Sequence, residues 1–567
     1  MSEKPKKHIY EQPELCDHIL SRVDRSSVPL RINASSIPHA RNGLFVVNDV
    51  KAGHEIFRSQ PLLVVSEGNN NDVCDHCFLN KNSSVHPDGH FFQGDEGRES
   101  IKILSCTGCR VVEYCSKECQ RTAWKSYHKL ECPVLRQIKE FNKNMGALPR
   151  ALCRLILWIE NKAMSRSNYK AIVNLETHYK EHNDDWYEKN DEGIPPTFMV
   201  ASNVRQATTP DDRSHVEPGL YLDTRRCQEL YCMLMANAGA ICPPEGEIQY
   251  GSFLDLVVSM INHSCDANAH VFFEGRELRC RALRDIPAGS EITVNYYPTP
   301  RLDVLLRRST LKQYMFITCN CHKCKDEMAE HVAAAVDRQD HLAKFKQGQL
   351  DLLKLGEDAE RAFSRSHTVK SCISFQDQIG NIIEKSFPGG HWPHHIEPLP
   401  SIYRTLGSMY RDMHYVVGLE FVLKGTIYVR DHSGPGWTND VVNLVKFMFF
   451  VAQAADNEMK WVGAVKNSEL LERSTMRDVA RAYLSIACLD GKHTFGMESK
   501  FVRALYKWAG DSIDYPGDLG IHTEGFRERF KDSQERLLTW AGMKAECGLR
   551  LPSNEQIAEL RQDIAEI

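Results

Sequence analysis

Four close pairs of metal-type ligands fall between residues 74 and 132: Cys74-x-x-Cys77, Cys106-x-x-Cys109, Cys115-x-x-x-Cys119 and His128-x-x-x-Cys132. Nothing else in the sequence limits the fold as tightly. A pair separated by two residues suits a knuckle turn, and a pair separated by three lies on one face of a helix. Tetrahedral zinc takes four thiolate or imidazole ligands, so eight of them make two closed structural sites. Disulfides are the competing reading for a chain with 20 cysteines. The N-terminal run Ser2-Glu3-Lys4-Pro5-Lys6-Lys7 lacks the apolar stretch of a secretory leader. The expectation is therefore reduced thiols and metal ligands, in a cytoplasmic or nuclear compartment. The Lys-Pro-Lys-Lys run reads as a solvated tail before a nuclear address.

At 567 residues, 42% of them apolar, the chain is expected to build three or four domains. A formal charge of −5 excludes a molecule that binds nucleic acid through its overall field, and leaves room only for a local basic patch. No apolar run reaches membrane length. The best candidate, Val441 to Ala455, is interrupted by Asn443, Lys446 and Gln453 and reads as a core helix.

Residues 28–66 read as strands. The turn signal Ala40-Arg41-Asn42-Gly43 precedes Leu44-Phe45-Val46-Val47, and Asn42-Gly43 predicts positive φ angles that would open backbone amides toward a ligand. Hairpin punctuation is the plainer reading of the same dipeptide. Asp49-Val50-Lys51-Ala52-Gly53-His54-Glu55-Ile56 is echoed by Asp285-Ile286-Pro287-Ala288-Gly289-Ser290-Glu291-Ile292, and both read as turns that end in Glu and start a strand. Two distant copies make a reused unit and not a tandem repeat. Helical spacing begins after Pro133, residues 188–219 read as a loop, and Gln228 to Ala240 reads as a helix.

The apolar run Phe253-Leu254-Asp255-Leu256-Val257-Val258 leads into Asn262-His263-Ser264-Cys265, which puts three polar side chains in one place. Burying them unpaired would cost about 1–3 kcal/mol each, so the fold must supply partners. A hairpin turn at Glu274-Gly275, a strand ending in Tyr296 and Tyr297, a basic helix from Leu302 to Tyr314 and then Cys319-x-Cys321-x-x-Cys324 follow. Three cysteines are one ligand short of a tetrahedral site, and Cys265 is the natural fourth. From 326 onward the apolar spacing is helical throughout.

The order and spacing of the four ligand pairs resemble a MYND zinc finger. That resemblance implies that Cys74, Cys77, Cys115 and Cys119 hold one ion, and Cys106, Cys109, His128 and Cys132 the other. The insertion Phe78 to Ser105 is longer than the family's and reads as a surface loop, with His86 and His90 as exposed loop histidines. Lys117, Arg121, Lys125 and Lys129 give the finger a basic face, by default a solvated one. Asn262-His263-Ser264-Cys265, then Glu291 to Tyr296, then Cys-x-Cys-x-x-Cys is the order seen in SET-domain lysine methyltransferases. Together these motifs resemble the SET-and-MYND (SMYD-type) family over about residues 28–325.

The resemblance implies a multidomain α+β fold: an N-terminal tail (1–27), a split SET β-fold (28–66 and 250–298), an inserted MYND finger (74–132), a helical insert (133–249), a post-SET zinc region (299–325) and an α-helical, TPR-like C-terminal domain (326–567). It implies transfer of methyl from S-adenosylmethionine to lysine in a protein substrate, histone or otherwise, with three zinc ions per chain. By carry-over, Tyr296 is the catalytic residue, and Asn42, Gly43, Asn237, Asn262, His263 and Phe316 bind the cofactor. Cys265, Cys319, Cys321 and Cys324 would hold the third zinc. The family's basic residue two before the Asn-Gly pair is Ala40 here, with Arg41 displaced by one. Its aromatic two before the first post-SET cysteine is Ile317, with Phe316 one step earlier. A monomer is expected, with protein partners at the finger and the helical domain. A catalytically degenerate zinc scaffold or transcriptional adaptor is the rival, and nucleic acid at the basic face a weaker one.

Overall fold

Short strands interleaved with amphipathic helices give this chain several small sheets of two or three strands. The computed structural model describes all residues except 1–6, 25, 39, 68–71, 82, 87, 92–100, 141–144, 190–193, 210–219, 247–248, 297–301, 336–340, 366, 387–391, 412, 430–431, 454–472 and 514–517. Two compact units result: Met1–Tyr296 with Lys312–Thr318, and Tyr297–Leu311 with Cys319–Ile567.

The strands of the first unit are β1 (Leu30–Ala34), β2 (Asn42–Val46), β3 (Glu55–Ser59), β4 (Leu63–Ser66), β5 (Leu104–Ser105), β6 (Glu113–Tyr114), β7 (Gly239–Ile241), β8 (Gly251–Leu254), β9 (Asn262–His263), β10 (Ala269–Glu274), β11 (Glu277–Ala282) and β12 (Thr293–Val294). They pair as β1-β2, β10-β11-β3, β12-β9, β4-β8-β7 and β5-β6. Every residue of β4 and β8 is buried, and β4 accordingly reads as an apolar run, Leu63-Val64-Val65, and not as alternation. Helices α1 (Pro13–Leu20), α2 (Lys117–Ala123), α3 (Lys129–Glu140), α4 (Ala147–Glu160), α5 (Arg166–Ile172), α6 (Tyr179–Lys189), α7 (Pro196–Thr208) and α8 (Thr224–Asn237) surround them. A single π-helical turn, Trp124–His128, links α2 to α3, so the backbone is helical from Lys117 to Glu140. One core joins sheet and helix: Leu44, Ile56, Val64, Leu254, Ile261 and Ile292 pack with Leu152, Leu155 and Ile156 of α4. Each such side chain contributes about 1.5–3 kcal/mol on burial.

The sequence echo is a structural pair. Val50 and Ile286 exchange both backbone hydrogen bonds, at 2.9 and 2.8 Å. Asp49 Oδ1 accepts from Ala288 N at 2.7 Å, and Asp285 Oδ1 accepts from Ala52 N at 2.9 Å. Gly53 and Gly289 both take φ near +77°, at 76° and 78°, a conformation that favours glycine. Each turn thus caps the other, and the clasp fixes β3 relative to the segment that carries Glu291.

Four expectations need correction. Asn42 and Gly43 have no positive φ; they are the first residues of β2, opposite Ala34 and Asn33. Residues 188–219 are not one loop, because Pro195-Pro196 starts a helix, α7, that buries Ala201 and Val204 and pairs Arg205 with Glu160 at 2.7 Å. Proline at the first helical position was the misleading signal. The helix expected from Gln228 to Ala240 runs from Thr224, capped by Asp223, to Asn237, and the chain then enters β7. The stretch read as an N-terminal tail carries α1, with Ile9, Leu15 and Ile19 in the core. Tyr297 lies outside the described residues, and β12 covers only Thr293–Val294.

In the second unit the helices are α9 (Val304–Met315, whose last turn belongs to the first unit), α10 (His322–Ala335), α11 (His341–Arg365), α12 (Val369–Ser386), α13 (Leu399–Arg411), α14 (Tyr415–Ile427), α15 (Pro435–Gln453), α16 (Arg473–Phe495), α17 (Lys500–Ser512), α18 (Glu524–Trp540) and α19 (Asn554–Glu566). Sequence neighbours pack on one another, α13 on α14, α14 on α15 and α15 on α16. Leu352, Leu399, Ile402, Leu406 and Met409 form one apolar core among them. Gly434, at φ +93°, directly precedes Pro435, the first residue of α15. Among the described residues no helix is long and apolar enough to cross a membrane.

Candidate active site and metal centres

The chain leaves β8 through an Asx turn. Asp255, fully buried, accepts from Val257 N and Val258 N with Oδ1 and from the Ser59 hydroxyl with Oδ2. That turn reverses the chain into β9, where Asn262 and His263 run parallel to Thr293 and Val294. Asn268 fixes the partner strand, accepting from Thr293 N at 2.8 Å and donating to the Glu291 carbonyl at 2.9 Å.

Asn262 donates through Nδ2 to the Asn42 carbonyl and to Glu291 Oε1, both at 2.7 Å. Asn42 itself accepts from Tyr10 N with Oδ1 at 3.1 Å. Gly43 is needed for space: a Cβ built there would lie 2.6 Å from Glu291 Oε1. Asn42, Gly43 and Asn262, which are far apart in sequence, therefore meet around Glu291. Sequence reasoning did not single out Glu291 as a site residue, although it follows the second copy of the echoed turn.

His263 is 6% exposed and is committed within the fold. Its Nδ1 accepts from Tyr296 N at 3.0 Å, which leaves the ring proton on Nε2, 3.2 Å from Cys265 Sγ. The imidazole thus braces the chain at Tyr296 and Cys265, and only the His263 backbone is left for a ligand. The Tyr296 hydroxyl donates to the Ile261 carbonyl at 2.6 Å. Desolvation of the phenol and the neighbouring Glu291 charge push its pKa well above the ordinary tyrosine value. A neutral phenol whose one proton is held by Ile261 presents its oxygen as an acceptor.

Asn237 and Phe316 have other neighbours. Asn237 Nδ2 donates to the Glu176 carbonyl and to Met233 O, both at 2.8 Å. The Glu176 carboxylate pairs with Arg41 at 3.2 Å. Phe316, at φ +55°, meets the His178 ring at 5.5 Å and the His182 ring edge-on at 4.7 Å. Burial and the nearby His178 hold His182 below the usual histidine pKa, which suits a neutral ring against an aromatic.

Two complete ligand sets lie between β4 and α4. The ligand atoms of Cys74, Cys77, Cys115 and Cys119 all lie within 4.8 Å of one another, as do those of Cys106, Cys109, His128 and Cys132. Cys77 to Cys115 and Cys115 to Cys119 are each 3.5 Å, Cys106 to Cys132 is 4.0 Å and Cys109 to His128 Nε2 is 3.7 Å. Tetrahedral zinc with bonds of about 2.3 Å requires edges of about 3.8 Å, whereas a disulfide requires about 2.05 Å between sulfurs. The residues fit zinc. His86 and His90 stack on each other, their ring centres 4.4 Å apart, and belong to neither set. The second unit gathers the sulfurs of Cys319, Cys321 and Cys324 within 4.8 Å, with Arg307 Nη2 at 3.6 Å from Cys324 Sγ.

A buried charge network, invisible to motif reading, ties the cysteine module to α4. Arg150 binds Asp75 through two bonds of 2.6 and 2.9 Å and reaches Glu131 at 3.2 Å, while Arg154 binds Glu131 at 2.5 and 3.0 Å. All four side chains are fully buried. Burial alone would raise both acids, but the two guanidiniums hold Asp75 and Glu131 below the usual carboxylate range. The Arg154 guanidinium also lies 3.8 Å over the Tyr127 ring.

The SET domain family matches residues 41–297. The human histone-lysine N-methyltransferase SMYD3 is 29% identical over 58% of this chain and 68% of its own length. The Arabidopsis thaliana histone-lysine N-methyltransferase ASHR1 is 27% identical over 52% and 55% respectively. The SET domain and MYND-type zinc finger protein 6 of Schizosaccharomyces pombe is 28% identical over 40% and 42%. The latter two are matched over only about half of their length. The matched SET region carries Asn42, Asn262, His263 and Tyr296, and in sequence the chain is similar to SMYD-type SET-domain lysine methyltransferases.

Proposed function

We propose that this chain methylates the side-chain amine of lysine in a protein substrate, using S-adenosylmethionine. The observation that carries the reading is the Tyr296 hydroxyl bound to the Ile261 carbonyl, next in the chain to Asn262, which places a neutral phenol beside the Asn42–Gly43–Asn262 cluster. That cluster fits the cofactor by its chemistry: a side-chain-free backbone at Gly43, an Asn262 carbonyl oxygen with no partner among the described residues, and an anion at Glu291. In this reading Asn42, Gly43, Asn237, Asn262, the His263 backbone and Phe316 hold the methyl donor.

When bound, the cofactor supplies a sulfonium methyl, whose bond to sulfur breaks as the lysine nitrogen forms its own. The chain's part is alignment and desolvation. A lysine of pKa about 10.4 is almost wholly protonated at pH 7 and must lose a proton, which a desolvated, cation-bearing site favours. Tyr296 orients the reacting groups, because its oxygen, with its proton tied to Ile261, accepts a weak C–H···O contact.

Cys74, Cys77, Cys115 and Cys119 hold one zinc, and Cys106, Cys109, His128 and Cys132 another, in a MYND-type finger. Cys319, Cys321 and Cys324 supply three ligands to a third. The finger and a TPR-like helical domain bind protein partners in the nucleus or cytoplasm. Calorimetry with S-adenosylmethionine, followed by transfer of labelled methyl into fractionated lysate, tests the reading. A protein that binds no donor is the scaffold or adaptor instead.

A further inference from the structure

The carboxylate at the centre of the cluster has neutral partners only. Glu291 Oε1 accepts from the Ser35 hydroxyl and from Asn262 Nδ2, each at 2.7 Å. Oε2 accepts from the Ser36 amide and the Ser36 hydroxyl, each at 3.2 Å. An ionised carboxylate offers about four lone-pair sites and no donor, which matches four converging donors. An amide in its place would set an N–H against the Ser36 N–H or the Asn262 Nδ2–H, whereas a carboxylate accepts from all four.

None of the four donors carries charge, and Glu291 forms no ion pair among the described residues. This contrasts with Glu55, which follows the first copy of the echoed turn and lies within ion-pair reach of Arg58 and Arg279. Surrounding dipoles hold the Glu291 charge in place without a counter-ion to cancel it. Gly43 gives it room, since any Cβ there would collide with Oε1 at 2.6 Å and with Cδ at 2.9 Å. The backbone strand that leaves space for the carboxylate is the one assigned to the donor.

Resting on the methyltransferase reading above, we propose that Glu291 is a positioning and selectivity residue whose uncompensated anion favours the cationic sulfonium donor over the neutral thioether formed from it. Its charge attracts the form that carries the methyl and gives no such attraction to the spent form. Through Asn262 it also fixes the amide that the donor meets.

The test is calorimetric binding of S-adenosylmethionine and S-adenosylhomocysteine to the full chain and to Glu291→Gln, with thermal melts as the folding control. Glu291→Gln should weaken the sulfonium about tenfold, equivalent to about 1.4 kcal/mol, and the thioether much less. Equal weakening of the two ligands would reduce Glu291 to a structural role and overturn the proposal. If the wild-type chain binds neither ligand, the methyltransferase reading itself fails, which is a separate result. Should Glu291→Gln not melt cooperatively, Ser35→Ala decides. It removes one donor and keeps the charge, so it should preserve the wild-type ratio of the two affinities; a changed ratio would show that shape and not charge discriminates.

Discussion

Arg150 of α4 meets Asp75, which directly follows Cys74, in a two-bond ion pair with no solvent exposure on either side. The pair joins the metal module to the helix that also packs on β4, so the module is built into the core of its unit. Removing one partner leaves a buried charge without compensation, which costs about 3–5 kcal/mol. Arg150→Met should therefore lower the urea midpoint severely. Arg150→Met combined with Asp75→Asn should recover part of the loss, and a double variant as unstable as the single one would contradict the account.

Gly43→Ala tests the crowding around Glu291. The new methyl would displace a carboxylate held by four donors, and hydrogen bonds to a charged acceptor contribute about 1.5–3 kcal/mol each. The expected result is a lower melting temperature together with weaker S-adenosylmethionine binding. Adding Glu291→Asp, which retracts the carboxylate by one methylene, should restore part of the stability.

The metal module was legible because its ligands come in pairs a few residues apart, and short spacing carries geometry. Helices such as α4 and α15 were legible for the same local reason. Glu291 was not, since its partners include Ser35, 256 positions away. The buried Asp75, Glu131, Arg150 and Arg154 look like ordinary surface charges in sequence; only packing shows that each has its counter-ion. Asn42-Gly43 misled because glycine in a strand and glycine in a turn are the same letter. It was there for the absence of a side chain and not for its φ.

Metal content gives a direct count. Elemental analysis should find three zinc ions per chain, and two would break the assignment of zinc to Cys319, Cys321 and Cys324. Chelation should unfold the 74–132 module first, since its buried cysteines are left without the ion that gathers them.

Asp490 in α16 predicts a pH dependence. Burial raises its pKa to about 6, against the opposing effect of hydrogen bonds from the Thr438 hydroxyl and Gly434 N. An acid whose folded pKa exceeds its unfolded value of about 3.9 favours the fold when protonated, so its contribution is full below about pH 4 and is lost as pH rises through 6. Asp490→Asn keeps an acceptor and removes the charge. Its stability advantage over wild type should grow by about 2 kcal/mol between pH 4.5 and pH 8. Comparing the variant with wild type at each pH cancels the acid sensitivity of the zinc ligands. A difference independent of pH would exclude Asp490 as its source.

Tyr296→Phe separates alignment from binding. The variant loses the oxygen and its bond to Ile261, and a single net-neutral hydrogen bond contributes about 1 kcal/mol, so the fold should survive. The backbone bond from Tyr296 N to His263 Nδ1 does not depend on the hydroxyl and should hold the strand in place. Affinity for S-adenosylmethionine should stay within about threefold, because Asn262, Gly43 and Glu291 are untouched, whereas turnover should fall about a hundredfold or more, the usual loss when a positioned polar group leaves a reacting centre. The fall should appear in kcat and not in KM, since the oxygen acts on alignment and not on capture. Unchanged turnover would remove Tyr296 from the mechanism. Loss of donor binding in a folded variant would instead make it a binding residue.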